Sequence, residues 1–243
     1  FVDRGYRGPF RFGKSPGIFG ERKPDAADVA AIRALYDGAV AAVDEAVGEL
    51  LRGLARRGHA DDTVIVLTSD HGECLYEPGR GQGHGDHLFG DEALRVPLVV
   101  VDPRRPGGRR VSGVVRSVDL APTLCAVAGV ECGAGGDGQS LLPALEGQPL
   151  PARLAFAETG LWFTRRIPDV PAALRLPYPD LTEVVEVDSG AGGDLVARAE
   201  LEPLLITAKH RMVRDDRHKL IYAPTRSGVK WMLFDTESDP LEE

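Results

Sequence analysis

A long helix is the clearest element that the alternation of apolar and polar residues predicts. From position 29 onward, apolar side chains recur every three or four residues, the spacing of one helix face. They are Val29, Ile32, Tyr36, Val40, Val43, Val47, Leu50 and Leu54. Asp25 is suited to cap the start of this helix, and Gly58 is suited to end it. We therefore predict an amphipathic helix that buries this stripe in a core.

Two short runs of apolar, mostly β-branched residues predict strands. Residues 63–68 and 96–101 are nearly continuous apolar stretches, as expected for strands buried on both faces of a parallel sheet. The glycine-rich residues 77–91 between them show neither helical nor strand periodicity. A helix, a buried strand, a polar loop and a second buried strand is an order typical of an α/β sheet.

A second short helix is predicted over residues 119–129. Asp119 would cap it, Pro122 would lie in its first turn, and Gly129 would end it. Residues 1–24, which are rich in Gly, Pro and Arg, predict a loop that covers another part of the molecule.

The character of the chain changes after residue 150. Residues 154–158 predict a strand and residues 165–193 a loop, and three short strands with turns between them follow. These strands cover residues 211–214, 219–222 and 230–234. We therefore divide the chain into an α/β core in residues 1–150 and a smaller antiparallel α+β unit in residues 151–243.

Composition narrows the classes of protein. The chain has 243 residues with 29 basic and 37 acidic side chains, so its formal net charge is −8, which argues against binding to nucleic acid or an anionic membrane. The three cysteines are too few and too scattered for a disulfide framework or a zinc knuckle. No apolar run reaches the roughly 18 residues that a membrane span needs. The first residue is Phe1, so we expect a piece of a longer protein, and no compartment is assigned.

Residues with metal-ligand chemistry cluster after the first predicted strand. The cluster consists of Asp70, His71, Glu73, His84, Asp86, His87 and Asp91. Asp70 and His71 directly follow the strand, and ligands of α/β sheets bind beyond such strand ends. A carboxylate and an imidazole are ligands for a divalent cation, and Gly72 would allow a turn that aims both at one ion. The segment around His84 could return a third group to the same place.

Other interpretations of these residues stay open. Asp70 could simply cap a turn by accepting backbone N–H bonds, and His84 or His87 alone is more often a solvated loop residue. Glu73 is expected to support the turn. The basic residues 104–110 could steer a phosphate or sulfate, but Gly and Pro in that run favour a solvated loop.

Six collinear motifs resemble the sulfatase family of the alkaline-phosphatase superfamily. They are residues 36–51, 62–73 with Ser69-Asp70-His71-Gly72-Glu73, 83–98, 117–124, 138–143, and 211–222 with 233–240. From the first to the last, these motifs span most of residues 30–243. The resemblance implies an α/β fold that forms part of an alkaline-phosphatase-like three-layer sandwich, with a smaller C-terminal antiparallel subdomain.

The resemblance also implies an activity and roles for individual residues. Sulfatases hydrolyse sulfate esters, so the expected substrate is a small-molecule or carbohydrate sulfate ester. Asp70 and His71 match the metal pair of the family, which holds one divalent ion, commonly calcium; an imidazole at position 71 leaves manganese or zinc open. His84 matches the group that binds sulfate or protonates the leaving oxygen, and we assign His84 and His87 to substrate binding.

The family's nucleophile motif is absent from this sequence. That motif is C/S-x-P-x-R, whose Cys or Ser becomes formylglycine. Of the 18 prolines, only Pro240 has a Cys or Ser two positions earlier, and Glu242 stands where Arg is required. We therefore expect the C-terminal portion of a sulfatase, inactive alone and dependent on the N-terminal half of its own protein. The alternatives are a phosphodiesterase or phosphoglycerol-transferase relative of the same superfamily, or a non-catalytic module.

Overall fold

The computed structural model describes residues 5–8, 24–78, 80–85, 87–105, 107–133, 135–160, 169–176 and 181–242. These form two compact units. The first unit comprises the chain up to His84 together with Arg95–Gly108, and the second comprises Gly85–Leu94 together with Arg109–Glu243. The boundary at residue 150 stays a prediction, and most of the loop predicted for residues 1–24 lies outside the described residues.

The first unit begins with the predicted helix, α1, over Ala26–Arg56. Its start is a capping box: the Asp25 carboxylate accepts the Asp28 N–H (2.9 Å), and the Asp28 carboxylate accepts the Asp25 N–H (3.2 Å). These two bonds satisfy backbone donors that a helix start leaves unpaired. The helix and its start are therefore confirmed.

The expected burial of the apolar stripe on α1 is wrong for most of its length. Ile32 is buried, but Val40, Val43 and Leu50 are 55%, 62% and 62% exposed. In the described part of the chain, burial on α1 is confined to its first turns. Helical periodicity identifies a face that is suited to burial, but it does not show whether another element packs against that face.

The expected parallel pairing of the first two long strands is also wrong. β1 (Ile65–Thr68) and β4 (Leu98–Val101) pair antiparallel, with Ile65 opposite Val101. Parallel neighbours need a crossover connection, usually a helix. The described residues between β1 and β4 instead contain a short hairpin, β2 (Cys74–Leu75) and β3 (Gln82–Gly83). Leu67 and Val99 are 39% and 49% exposed, so these strands are not buried on both faces.

The second unit is built on a four-stranded antiparallel sheet. Its order is β10-β9-β8-β5. The strands are β5 (Ala155–Glu158), β8 (Arg211–Arg214), β9 (His218–Thr225) and β10 (Gly228–Asp235). The strand predicted after residue 150 and the meander are thus confirmed. A buried cluster that includes Met212, Ile221 and Met232 forms the core of this unit together with Leu88 and Phe89.

The described part of this unit also contains helices and a further hairpin. They are α2 (Leu120–Ala128), α3 (Leu142–Leu145), α4 (Leu181–Val184), β6 (Val185–Asp188), β7 (Asp194–Ala197) and α5 (Glu202–Ala208). Asp119 and the left-handed Gly129 lie at the two ends of α2 as predicted, but the expected cap is wrong, because the Asp119 side chain makes no capping hydrogen bond to α2. The predicted loop over 165–193 is wrong where α4 and β6 form.

The cysteines depart from expectation in one respect. Cys125 and Cys132 form a disulfide at the end of α2, a local crosslink rather than a framework. Cys74 is buried and is not part of a disulfide, in agreement with its small apolar character. Among the described helices, none is both long and apolar enough to span a membrane.

Candidate active site

The turn after β1 fixes Asp70 and His71. Oδ1 of Asp70 accepts the backbone N–H of His71 (2.9 Å), and the Ser69 hydroxyl donates to the His71 carbonyl (2.7 Å). These bonds hold the chain in a tight polar turn where the strand ends. The backbone N–H of His71, and then the His71 charge, hold the pKa of Asp70 below its ordinary value.

The two side chains also approach each other. Nε2 of His71 lies 3.6 Å from Oδ2 of Asp70. Nδ1 of His71 is 2.8 Å from the Gly72 carbonyl, to which it must donate because a carbonyl only accepts. Each residue therefore uses one atom to build the turn and directs its other atom toward its neighbour. The capped turn is therefore present and leaves one atom of each side chain facing the other, whereas the role of Asp70 and His71 as a ligand pair stays a prediction.

The β2–β3 hairpin brings His84 to this place. Cys74 is opposite Gly83, so the next pair outward along the hairpin is Glu73 and His84. Nδ1 of His84 lies 2.7 Å from Oε2 of Glu73 and donates to it, since a carboxylate only accepts. The His84 ring stacks on the His71 ring, with 3.7 Å between centroids and 23° between planes.

Three ligand-type side chains thus meet in the first unit. One nitrogen from each of His71 and His84 and one oxygen of Glu73 all lie within 4.8 Å of one another. The sequence assigned Glu73 only a supporting role. Its contact with His84 follows from the hairpin register, a signal that residue spacing alone does not carry.

His87 and Asp91 belong to the second unit. The His87 ring is 5.8 Å from the Phe89 ring, and Phe89 makes an edge contact with His210. Burial, with a smaller contribution from the His87 charge, lowers the pKa of His210 to about 4. Asp91 pairs with Arg214 through both oxygens (2.8 and 2.9 Å). The role of His87 stays a prediction, and Asp86 lies outside the described residues.

The basic run after β4 has a local explanation. Arg104 donates to the buried Asp102 carboxylate (2.9 Å), and Arg105 pairs with the same carboxylate. The side-chain hydrogen bond from Arg104 lowers the pKa of Asp102 strongly. Because one carboxylate engages both arginines, this geometry favours a structural role for the two residues.

Comparison with known proteins identifies the family to which this chain belongs. The family described as Sulfatase matches residues 7–130, just over half of the chain. The chain therefore belongs to the sulfatase family, and the sequence-based assignment to the alkaline-phosphatase superfamily is confirmed.

The individual relatives are longer proteins. The multifunctional alkaline phosphatase superfamily protein PehA of Trinickia caryophylli is 37% identical over 51% of this chain and 24% of its own length. N-acetylglucosamine-6-O-sulfatase of Bacteroides thetaiotaomicron is 39% identical over 46% of this chain and 20% of its own length. The chain therefore spans about a quarter or less of these curated relatives.

A solved structure confirms the fold class. The phosphonate monoester hydrolase of Agrobacterium radiobacter is 30% identical with a TM-score of 0.64, covering 90% of this chain and 37% of that one. The expected α/β class, with its antiparallel C-terminal sheet, is therefore correct.

Proposed function

We propose that this chain supplies the cation-binding and leaving-group part of the active site of a sulfuric ester hydrolase. The observation that carries the proposal is the Asp70–His71 pair, 3.6 Å apart, with His84 stacked against it, in a chain of the sulfatase family. The name of the N-acetylglucosamine-6-O-sulfatase relative supports a sulfated carbohydrate, or a smaller sulfate ester, as the substrate class.

The donor atoms of the pair fit one divalent cation. Two ligands about 2.3–2.6 Å from a calcium ion, roughly at right angles, lie about 3.3–3.7 Å apart. The 3.6 Å between Oδ2 of Asp70 and Nε2 of His71 falls in this range. Asp70 and His71 would hold this ion, calcium by the family resemblance, with manganese or zinc left open by the imidazole. When bound, such an ion neutralises charge on the non-bridging sulfate oxygens.

His84 would meet the substrate with its other nitrogen. Glu73 holds Nδ1 of His84, so Nε2 is the nitrogen left to hydrogen-bond a sulfate oxygen. In its protonated form, His84 would give the Nε2 proton to the bridging oxygen as the alcohol leaves. Glu73 fixes the ring orientation and balances the imidazolium charge during this step. We keep His87 as a second substrate-binding candidate.

Binding of the oxyanion can be tested on the chain itself. Sulfate titrated in the presence of Ca²⁺ should shift the imidazole NMR signals of His84 in a saturable way. Asp70→Asn should abolish the shift, because the cation loses its carboxylate. Asp62→Asn is the matched control, since Asp62 is an exposed carboxylate that pairs with His59 in the same unit. A folded wild-type chain without any sulfate-dependent shift would contradict the proposal.

Turnover should need residues that this chain lacks. Because the sequence contains no C/S-x-P-x-R motif, the purified chain should not hydrolyse 4-nitrophenyl sulfate, with or without Ca²⁺. The in-frame upstream coding sequence should encode that motif, and the longer protein should be active. Metal-dependent sulfatase activity of the 243-residue chain alone would refute the dependence on an N-terminal half.

A phosphoryl or phosphonyl ester hydrolase is the second candidate. The similarity to the phosphonate monoester hydrolase, 30% identical with a TM-score of 0.64, favours it. An upstream Thr or Ser outside a C/S-x-P-x-R motif, together with tighter binding of phenylphosphonate than of sulfate, would select this candidate. If neither wild type nor Asp70→Ala gains melting temperature from any divalent ion, the non-catalytic module is favoured.

A further inference from the structure

We propose that His71, Glu73 and His84 form a zinc site, and that Zn²⁺ there excludes the divalent cation on Asp70 and His71. The zinc site itself stands on its own geometry; only its inhibitory consequence rests on the proposed function. Two imidazoles and one carboxylate are a recurrent zinc donor set that leaves one coordination position open, and imidazole favours zinc over calcium.

The spacing of the three groups suits a site that closes around its ion. Their ligand atoms lie within 4.8 Å of one another. Ligands about 2.1 Å from a tetrahedral zinc ion are about 3.4 Å apart, so no pair of ligands must close by more than about 1.4 Å. The facing atoms of His84 and Glu73, 2.7 Å apart, must instead open by about 0.7 Å. The side chains of His71, His84 and Glu73 are 44%, 47% and 21% exposed, which leaves them room for this rotation.

Two features organise the ligands before any ion binds. The Gly72 carbonyl holds Nδ1 of His71, which directs Nε2 outward, as in most histidines that bind metals. The hairpin register places Glu73 opposite His84, and their facing atoms are 2.7 Å apart with a proton between them. A zinc ion that takes the place of this proton would bind both Nδ1 of His84 and the Glu73 carboxylate. The proton of His84 then resides on Nε2, so the neutral ring changes tautomer without net proton release.

Competition follows from the shared histidine. Nε2 of His71 has one lone pair and can bind one ion at a time. The same nitrogen faces Oδ2 of Asp70 at 3.6 Å. Zinc in the site would therefore take His71 from the Asp70 pair, and it would replace the Glu73 carboxylate as the partner of Nδ1 of His84. In an active sulfatase, zinc bound here would act as an inhibitor.

The experiment compares two metals across one set of variants of the full 243-residue chain. Zn²⁺ binding is measured by calorimetry, with Co²⁺ absorption as a spectroscopic substitute, and Mn²⁺ binding by its EPR signal. Glu73→Gln and His84→Asn should weaken Zn²⁺ binding more than about tenfold, the scale of a lost zinc contact, and leave Mn²⁺ binding within about twofold. Asp70→Asn should do the reverse, and His71→Asn should weaken both.

His218→Asn is the matched control. His218 is 52% exposed and faces Asp215 at 3.5 Å, but no second histidine stacks on it among the residues that the structure describes, so both affinities should be unchanged. Circular dichroism checks that each variant is folded. Nitrogen-15 NMR should show the His84 proton moving from Nδ1 to Nε2 as zinc is added.

Three results would overturn the inference: undetectable zinc binding, equal zinc binding by wild type and Glu73→Gln, or simultaneous saturation with Mn²⁺ and Zn²⁺. The sulfate titration is a separate measurement. If it fails while the zinc results hold, the proposed hydrolase function fails and the zinc site stands.

Discussion

Replacing Asp119 by Ala should strongly destabilise the second unit. The Asp119 side chain is fully buried at the start of α2, and both of its oxygens are fully used. Oδ1 accepts from the Arg116 guanidinium (2.7 Å) and the Gln139 N–H (2.8 Å). Oδ2 accepts from the Arg153 guanidinium (3.1 Å) and the Arg116 N–H (3.1 Å). One carboxylate therefore joins three distant stretches of chain.

The magnitude follows from what the substitution leaves behind. The Arg153 side chain is 7% exposed and would lose its carboxylate partner, and Gln139 would keep an N–H without this acceptor. Removing one partner of a buried ion pair costs about 3–5 kcal/mol. For a chain of this size, each kcal/mol lowers the melting temperature by about 2–4 °C, so the expected loss is roughly 6–20 °C.

Urea unfolding followed by tryptophan fluorescence and circular dichroism measures this loss. Glu237→Ala is the control in the same unit, because Glu237 is 77% exposed and should change stability by less than about 0.5 kcal/mol. If Asp119→Ala does not fold, Asp119→Asn retains one acceptor oxygen and should cost about 1–3 kcal/mol. If Asp119→Ala lowers the free energy of unfolding by less than about 1 kcal/mol, the role assigned to the buried Asp119 carboxylate is refuted.

The same carboxylate gives stability a defined pH dependence. Burial acts to raise the pKa of Asp119, but hydrogen bonds from Arg116 and from the Gln139 backbone outweigh it and hold the pKa below its ordinary value of 3.8. A lowered folded-state pKa contributes stability that is fully present above the unfolded pKa and is lost as the pH falls below it. The stability difference between wild type and Asp119→Asn should therefore shrink below pH 3.8 and stay constant between pH 5 and 7. A difference that grows toward low pH would contradict this sign.

Two further predictions concern the buried ion pair and the exposed helix face. Lys219 is fully buried and donates a hydrogen bond to Glu242 (2.8 Å), so Lys219→Met should lower the free energy of unfolding in urea by about 3–5 kcal/mol. The double variant Lys219→Met with Glu242→Gln should regain at least about 1 kcal/mol of this loss. If the double variant loses as much as the two single variants added together, the two side chains are not coupled. The double variant Val43→Lys with Leu50→Lys should have an unchanged melting temperature, because both side chains are 62% exposed. It should also associate less with itself, as measured by light scattering. Undiminished scattering would show that this face of α1 does not drive association.

Local signals account for the elements that the sequence predicted well. Asp25 and Asp28, which are three residues apart, form the capping box of α1. The left-handed Gly129 ends α2 through hydrogen bonds to carbonyls of the preceding residues. The strands of the four-stranded sheet carry short segments with apolar and aromatic residues, separated by turn residues. In each case the residues that determine the element are neighbours in sequence, so their pattern suffices.

The pairing and register of the strands could not be predicted from the local sequence pattern. The direction of β4 relative to β1 depends on the connection between them, and apolar strands look alike in either direction. The Asp70–His71 pair could be inferred because the two residues are adjacent after a strand. Glu73 faces His84, 11 positions away, only because of the β2–β3 register.

By itself, then, the sequence determined helices α1 and α2, the strands of the C-terminal sheet, the family and the position of Asp70 and His71 directly after a strand, because short-range sterics, capping and motif order encode them. Only the tertiary structure decided how much of α1 is covered, how β1 and β4 pair, and that Glu73 lies beside the two histidines. Such contacts join residues that are distant along the chain. They form where packing and hydrogen bonding between whole elements bring their side chains together.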